Sequence, residues 1–250
     1  MKRHASSTRR QGGFTLVEIA IVLMIVGLLI GGILRGQELI QSARVRNIID
    51  QKSAIQTAYI GFLDRYRMLP GDLTVDQAKT VGNSAQPGKT GSSGDGVITL
   101  ATESTLFFQN LTASGFLSCG GCMTVVTSDT GGDGPAPDIS NSPINVYGTP
   151  LSIGHLASNT AASATTKGFD WFDEKTVTRL VMATGSSIPS QVMAEVDRKA
   201  DDGLPGTGQL RFAASGSATL TNCAKDLSAT ALKTQWANPS QANCQGAWLF

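Results

Sequence analysis

Few residues of this 250-residue chain have the types and spacing that catalysis requires. His155 is the single histidine beyond residue 13, and no nucleophile motif lies beside it. The Gly-x-Ser-x-Gly pattern that exposes a nucleophilic serine is absent, and Gly185-Ser186-Ser187 does not complete it. We therefore predict no catalytic residue and no enzymatic activity.

Cys119 and Cys122, separated by two glycines, have the spacing of a redox dithiol or of half a zinc site. Redox dithiols favour a helix start beside a positive charge, and no basic residue is nearby in the sequence. Zinc would need further ligands, for which His155 is the only histidine candidate beyond residue 13. A structural disulfide is the better interpretation, and we predict neither a metal nor a cofactor.

The four cysteines allow three disulfide connectivities. Sequence proximity favours Cys119–Cys122 and Cys223–Cys244. In the chain-entropy account, closing a loop of the second size stabilises the fold by roughly 3 kcal/mol.

A second cluster that could bind an ion is the acidic segment from Asp197 to Gly203. Its spacing fails the calcium loop of EF-hands, because Lys199 occupies the second ligand position and Gly203 comes one residue late. We interpret Asp201-Asp202-Gly203 as a turn that ends a helix, with calcium binding as the alternative.

The elements that position these residues begin with an apolar run of 21 residues from Phe14 to Leu34, whose only charge is Glu18. At ~1.5 Å per helical residue the run spans the ~30 Å hydrocarbon core of a bilayer. It is preceded by a short segment that has no acidic residue. The basic residues of that segment are Lys2, Arg3, Arg9 and Arg10.

The pattern after this run predicts that one helix continues to Leu69, because no proline occurs before Pro70 and apolar residues recur at three- and four-residue spacing. The apolar positions are Val45, Ile48, Ile49, Ile55, Tyr59, Phe62, Tyr66 and Leu69. The opposite face is polar, so we expect an amphipathic second half that packs on a globular domain. A coiled coil or a plain signal anchor is the alternative.

The junction Gly13-Phe14, with Glu18 following, resembles the class III signal of type IV pilins and type II secretion pseudopilins. A secretory signal peptide is cleaved after its apolar region, whereas cleavage at this junction would remove the basic leader and keep the apolar segment. In the head, Pro70-Gly71-Asp72 and Gly94-Asp95-Gly96 are similar to segments of many pilin-like proteins.

The resemblance implies that a prepilin peptidase cleaves between Gly13 and Phe14 and that the new amine of Phe14 is methylated. It also implies that Glu18 pairs with that amine on a neighbouring subunit, since an unpaired carboxylate in lipid is costly. The alternative is a Glu18 that only reaches the membrane surface. Glycines 27, 31, 32 and 36 form two Gly-x-x-x-Gly spacings, which indicate close helix packing or ordinary tolerance of glycine in membrane helices.

We predict an α+β pilin-like fold, in which the long N-terminal helix packs on a small antiparallel sheet. The sequence predicts short helices over 103–116 and 190–200, the latter capped by Ser187 or Ser190, and leaves 172–182 undecided between helix and strand. Strand candidates are 123–126 and 145–147, with a closing hairpin from 208–212 and 218–220.

Three regions follow from these patterns: a leader over 1–13, an N-terminal helix over 14–69 that spans the membrane at 14–34, and a head over 70–250. The resemblance implies that the chain is a structural subunit, of a minor or specialised kind, in a type IV pilus-like filament. A type II secretion pseudopilin and a membrane-anchored periplasmic enzyme are the alternatives. Expected partners are the peptidase, other pilin or pseudopilin subunits, the inner-membrane assembly platform and lipid.

The expected location is the inner membrane, with a cytoplasmic N-terminus, and then the pilus or pseudopilus. Four basic residues precede the apolar run and three arginines follow it closely, so the orientation rests mainly on the resemblance. The head cysteines would then lie in an oxidising compartment. Without the leader the chain has 16 basic and 19 acidic residues, a net charge of −3, so no nucleic-acid partner is expected.

Overall fold

The computed structural model describes residue 13 and residues 15–83, 94–100, 102–123, 137–159, 170–214, 223–225, 227, 234–237 and 242–250. Its first helix, α1, comprises Leu16–Tyr66. The chain forms two compact units, residues 1–43 and residues 44–250, which we call the N-terminal unit and the head unit. The head unit therefore begins within α1.

In the head unit, α1 buries the face that the apolar periodicity predicts. Val45, Ile48, Ile55 and Phe62 are buried, and the other four predicted positions are partly buried against the same core. Tyr59 packs on the rings of Phe107 and Phe250. This confirms the amphipathic second half of the helix.

Helix α1 ends at Tyr66, three residues before the predicted end at Leu69. Arg67 has a φ of 56°, in the left-handed region, and its N–H still donates to the carbonyl of Leu63 at 2.9 Å. Leu69 cannot easily continue a helix, because a residue before proline disfavours helical backbone angles. The chain therefore leaves the helix one turn before Pro70.

In the part of the chain that the structure describes, three shorter α-helices follow: α2 (Val75–Thr80), α3 (Thr102–Ala113) and α4 (Ser190–Ala200). Helices α3 and α4 correspond to the two predicted short helices. Neither predicted serine caps α4, however. Pro189 is its N-cap residue, and the hydroxyl of Ser190 instead donates to the carbonyl of Ala237 at 2.7 Å.

Among the described residues, five strands close into a small barrel: β1 (Ser152–Asn159), β2 (Asp170–Phe172), β3 (Thr178–Ala183), β4 (Leu210–Ala214) and β5 (Gln245–Leu249). Around the barrel the order is β1-β2-β4-β5-β3. The α+β pilin-like layout is confirmed. The sheet is mixed rather than purely antiparallel, because β1 and β2 run parallel while the other described pairs are antiparallel.

Side chains at alternate positions of the strands lie on opposite sides of this sheet. Phe212, Met182 and Trp248 join the large core that also contains the buried face of α1. The other side holds a smaller cluster, and its members are Trp171, Val181, Ala183, Ala213, Ala247 and Leu249. The undecided segment 172–182 therefore contributes the end of β2 and most of β3.

Two predicted strands are wrong where the structure describes them. Met123 ends a tight helical turn, Gly121–Met123, in which the N–H of Cys122 donates to the carbonyl of Cys119; residues 124–126 lie outside the described residues. Asn145 forms a turn instead of a strand, because its side-chain oxygen accepts from the N–H groups of Tyr147 and Thr149. Residues 218–220 of the predicted hairpin also lie outside the described residues.

Candidate functional site

The start of α1 carries the residues of the predicted processing and assembly site. Gly13 is exposed, while Phe14 and the leader residues 1–12 lie outside the described residues. Thr15 precedes the helix, and its hydroxyl accepts from the N–H of Glu18 at 3.3 Å. Glu18 is therefore the third helical residue after a threonine cap, the spacing of a capping box. Its carboxylate is exposed in the single chain.

The N-terminal unit has an apolar surface around the described part of α1. The side chains of Leu16, Met24 and Leu28 are 89%, 77% and 77% exposed. In the part of the chain that the structure describes, α1 is the one helix long and apolar enough to cross a membrane. An apolar surface of this size requires lipid or protein to cover it.

The glycines at 27, 31, 32 and 36 leave this helix open to close approach. A Cβ atom built at each of them would meet nothing within 4 Å. Another helix could therefore approach the backbone here more closely than it could beside larger side chains.

All four cysteines are paired in the structure, Cys119 with Cys122 and Cys223 with Cys244. This is the pairing that sequence proximity favours. The Cα atoms lie 5.4 Å and 5.5 Å apart in the two bridges. The second bridge joins the start of β5 to the segment that holds Ala224, whose backbone bridges to Trp236.

The acidic segment at the end of α4 brings three carboxylates together. One oxygen from each of Asp197, Asp201 and Asp202 lies within 4.8 Å of the others. These carboxylates hold the turn that follows: Asp201 accepts from the N–H groups of Gln209 and Leu210, and Asp202 accepts from that of Leu204 and from the Thr207 hydroxyl. The segment acts as a helix-ending turn, as its sequence predicts.

Asp197 differs from its two neighbours because it is fully buried. It accepts from Trp236 Nε1 at 2.8 Å and from the N–H of Gly203 at 3.2 Å. Burial raises the pKa of Asp197 to about 7, against the lowering effect of these two hydrogen bonds, and the charges of Asp202 and Asp201 raise it further. Sequence reasoning missed this residue as a titrating group, since nothing local indicates its burial.

His155 lies on β1, where its Nδ1 accepts from the N–H of Ile98 at 2.8 Å. Burial lowers the pKa of His155, against the opposing charges of Asp72, Asp95 and Glu103. The imidazole therefore stays neutral at pH 7 and ties β1 to the segment before α3. This is the structural role that a lone histidine suggests.

Asp72 joins the two head motifs that the sequence singled out. It is 4% exposed, and its carboxylate accepts from the N–H groups of Gly94 and Gly96 at 2.6 Å and 2.7 Å. Gly94 and Gly96 have φ values of 82°, which glycine adopts at little cost. Asp72 thus joins the Pro-Gly-Asp segment, which follows the end of α1, to the Gly-Asp-Gly segment.

We expect Asp72→Ala to lower the free energy of unfolding by about 2–4 kcal/mol, because two hydrogen bonds to a charged acceptor are lost. Urea unfolding of the full chain, followed by tryptophan fluorescence, measures this. Asp95→Ala is the matched control. Asp95 lies between Gly94 and Gly96, the two glycines that Asp72 binds, but its side chain is exposed and accepts from the N–H of Val97. Equal losses in the two variants would contradict the prediction.

Residues 8–34 match the family model of the prokaryotic N-terminal methylation motif. No curated protein and no solved structure matches the chain. Together with the long apolar helix α1, which begins within the matched residues, the motif supports a class III signal of the pilin and pseudopilin type. The chain therefore has the character of a type IV pilin-like or pseudopilin subunit, and the motif indicates a structural subunit rather than an enzyme.

Proposed function

We propose that this chain is a structural subunit, of a minor or specialised kind, in a type IV pilus-like filament. The observation that carries the proposal is the methylation motif, residues 8–34, which includes the exposed apolar first half of α1. Lipid covers this helix before assembly, and the corresponding helices of other subunits cover it in the filament. An assembly platform in the inner membrane would move the subunit from one environment to the other.

The proposed topology has a cytoplasmic N-terminus, a single span over 14–34 and a head outside the cytoplasm. The basic leader supports this orientation through the positive-inside rule. The two disulfides of the head also support it, because such bonds persist in oxidising compartments.

In the proposed assembly, Glu18 pairs with the methylated, still cationic amine of Phe14 on a neighbouring subunit. Removing both groups from water is costly unless they meet, so the pair would fix the register of neighbouring helices. The capping contact with Thr15 supports this role, because it uses the backbone N–H of Glu18 and leaves the carboxylate exposed.

Processing provides the first test. We expect the mature protein to lack residues 1–13 and to carry one additional methyl group on Phe14, which intact-mass analysis of protein purified from membranes measures. Gly13→Val should retain the leader, since a branched side chain replaces the small residue at the scissile bond. A Cβ at Gly13 meets nothing within 4 Å, so misfolding of the described chain would not explain that result.

A leader retained in the unaltered protein, or removed by cleavage beyond the apolar run, would refute the proposal. The pseudopilin alternative predicts the same processing. The two candidates differ in the filament that the subunit joins, a surface pilus or a secretion pseudopilus. Recovery of the protein in sheared surface pili supports the pilus subunit. Loss of exoprotein secretion on deletion, with surface pili intact, would favour the pseudopilin.

A further inference from the structure

The two disulfides of the head differ in how deeply their cysteines are buried. Cys223 and Cys244 are both fully buried. Cys122 is also fully buried, within the main core, whereas its partner Cys119 is only partly buried. Thiol–disulfide exchange requires a thiolate to reach one sulfur of the bond. Among these four cysteines, Cys119 is the one that is not fully buried.

Cys119 lies in the wall of a groove of about 290 Å³. Helix α1 contributes Gln51 and Ala54 to this groove, and Leu117 and Ser118 flank the cysteine. The third wall comes from Pro143 and Ile144, and Gln51 Nε2 donates to the carbonyl of Ile144 at 2.9 Å, which joins two walls.

The lining of the groove is mostly apolar and carries no charged side chain among the described residues. Its volume accommodates one or two side chains rather than a folded partner. An uncharged apolar group therefore fits beside Cys119, whereas a charged group would lose water without gaining a partner.

We propose that Cys119–Cys122 is a thiol–disulfide exchange site whose substrate is the cysteine thiol of an extended peptide with an apolar neighbouring residue. The peptide thiolate attacks Cys119 Sγ, the bond to Cys122 breaks, and Cys122 leaves as a thiolate that takes up a proton. The product is a mixed disulfide between the peptide and Cys119, with the neighbouring side chain in the groove.

Two further steps complete the chemistry. Attack by the Cys122 thiolate on Cys119 releases the peptide thiol and restores the original bridge. Attack by a second peptide thiolate on the peptide sulfur instead yields a peptide disulfide and the reduced Cys119–Cys122 pair, so that two electrons pass from two thiols to one protein disulfide. This inference does not depend on the filament proposal.

The first experiment measures the order of reduction in the full chain in detergent. The probe is the blocked dipeptide acetyl-Leu-Cys-amide, with acid quenching, alkylation and peptide mapping. We expect Cys119 and Cys122 to become labelled at least about tenfold faster than Cys223 and Cys244, because access limits exchange at buried sulfurs. Equal rates, or earlier reduction of Cys223–Cys244, would overturn the proposal.

Two variants, each of which keeps one cysteine of the Cys119–Cys122 pair, identify the sulfur that the peptide attacks. Cys122→Ser leaves Cys119 free, and we expect rapid formation of the peptide adduct after addition of the peptide disulfide. Cys119→Ser leaves the buried Cys122 free and should react at least about tenfold more slowly. Similar rates in the two variants would contradict an attack that is specific to Cys119, while the order of reduction in the unaltered chain remains an independent check.

A third experiment tests the role of the groove in a chain that keeps all four cysteines. Ala54→Glu places a charge in the groove wall, whereas Thr57→Glu places the same charge on an exposed α1 position that does not line the groove. We expect Ala54→Glu to slow exchange with acetyl-Leu-Cys-amide several-fold and Thr57→Glu to leave it unchanged. Faster reaction of acetyl-Asp-Cys-amide than of the leucine peptide with the unaltered chain would refute the proposed specificity.

Discussion

Glu18→Leu subunits should be inserted and cleaved but lost from filaments. The leucine makes the apolar segment easier to insert, so a failure of assembly cannot be attributed to poor membrane targeting. Removing one member of a buried ion pair costs about 3–5 kcal/mol, and 1.4 kcal/mol corresponds to a tenfold change in an equilibrium. We therefore expect incorporation per cleaved subunit to fall by more than tenfold, as measured by immunoblotting of sheared filaments against membranes.

Two further variants separate the charge of Glu18 from its other roles. Glu18→Gln keeps a residue that suits the capping box after Thr15, but it deletes the charge, and it should fail in assembly as Glu18→Leu does. Glu38→Gln is the matched control on the same helix, because Glu38 is exposed and its ion pair with the exposed Arg35 contributes little. Normal incorporation of Glu18→Leu would refute the pairing while leaving the class III signal intact.

The long helix could be predicted from the sequence because its signals are local and repeated. Eight apolar positions at helical spacing indicated the face that the head unit buries, and this face is confirmed. The end of the helix was placed three residues late, since nothing local indicates that Arg67 adopts a left-handed conformation. Helix α2 had a readable signal that was missed: Thr74 and Gln77 form a capping box, with Thr74 N–H donating to Gln77 Oε1 at 2.9 Å.

The barrel was harder to predict because its strands are paired over long distances and lack clean alternation. Every residue of β5 is buried, so its sequence shows no polar face from which a strand could be recognised. Gly246 weakens the strand signal further, yet a Cβ there would approach Met193 Cε to 2.5 Å. It would also approach Leu210 Cδ1, on the neighbouring strand β4, to 2.7 Å, so the close packing of both α4 and β4 against β5 explains this glycine.

The burial of Asp197 is a tertiary effect of the same kind. Val192, Met193 and Val196 lie at helical spacing on one side of α4, and all three are buried. The sequence did not predict that Trp236, 39 residues away, would cover the neighbouring carboxylate. Residue types alone therefore located the acidic turn but did not distinguish its buried member from the other two.

The head unit should be more stable at pH 5 than at pH 7.5. Asp197 has a pKa of about 7 in the folded chain, above the value of about 3.9 for an unperturbed aspartate. Between these values the folded chain holds a proton that the unfolded chain has released. The free energy of unfolding therefore decreases as pH rises from about 4 to about 7, by at most about 1.4 kcal/mol per pH unit, and this contribution is constant above that range.

Asp197→Asn isolates this contribution from the other titrating groups. His155 acts in the opposite direction, because burial lowers its pKa in the folded chain and stability therefore rises with pH up to the ordinary histidine pKa of about 6.5. The informative quantity is thus the difference between variant and unaltered chain, measured by urea unfolding in detergent at several pH values. The variant should lose the downward slope, even if the amide lowers stability at every pH.

Tryptophan fluorescence provides the readout, since all three tryptophans of the chain lie in the head unit and one of them, Trp236, donates to Asp197. Asp50→Asn is the control, because Asp50 is exposed on α1, and it should retain the slope of the unaltered chain. If Asp197→Asn also retains that slope, Asp197 is ionised throughout the range and its pKa is not raised. Loss of the slope in Asp197→Asn alone would show that burial beneath Trp236, and not the overall acidity of the turn, makes the fold sensitive to pH.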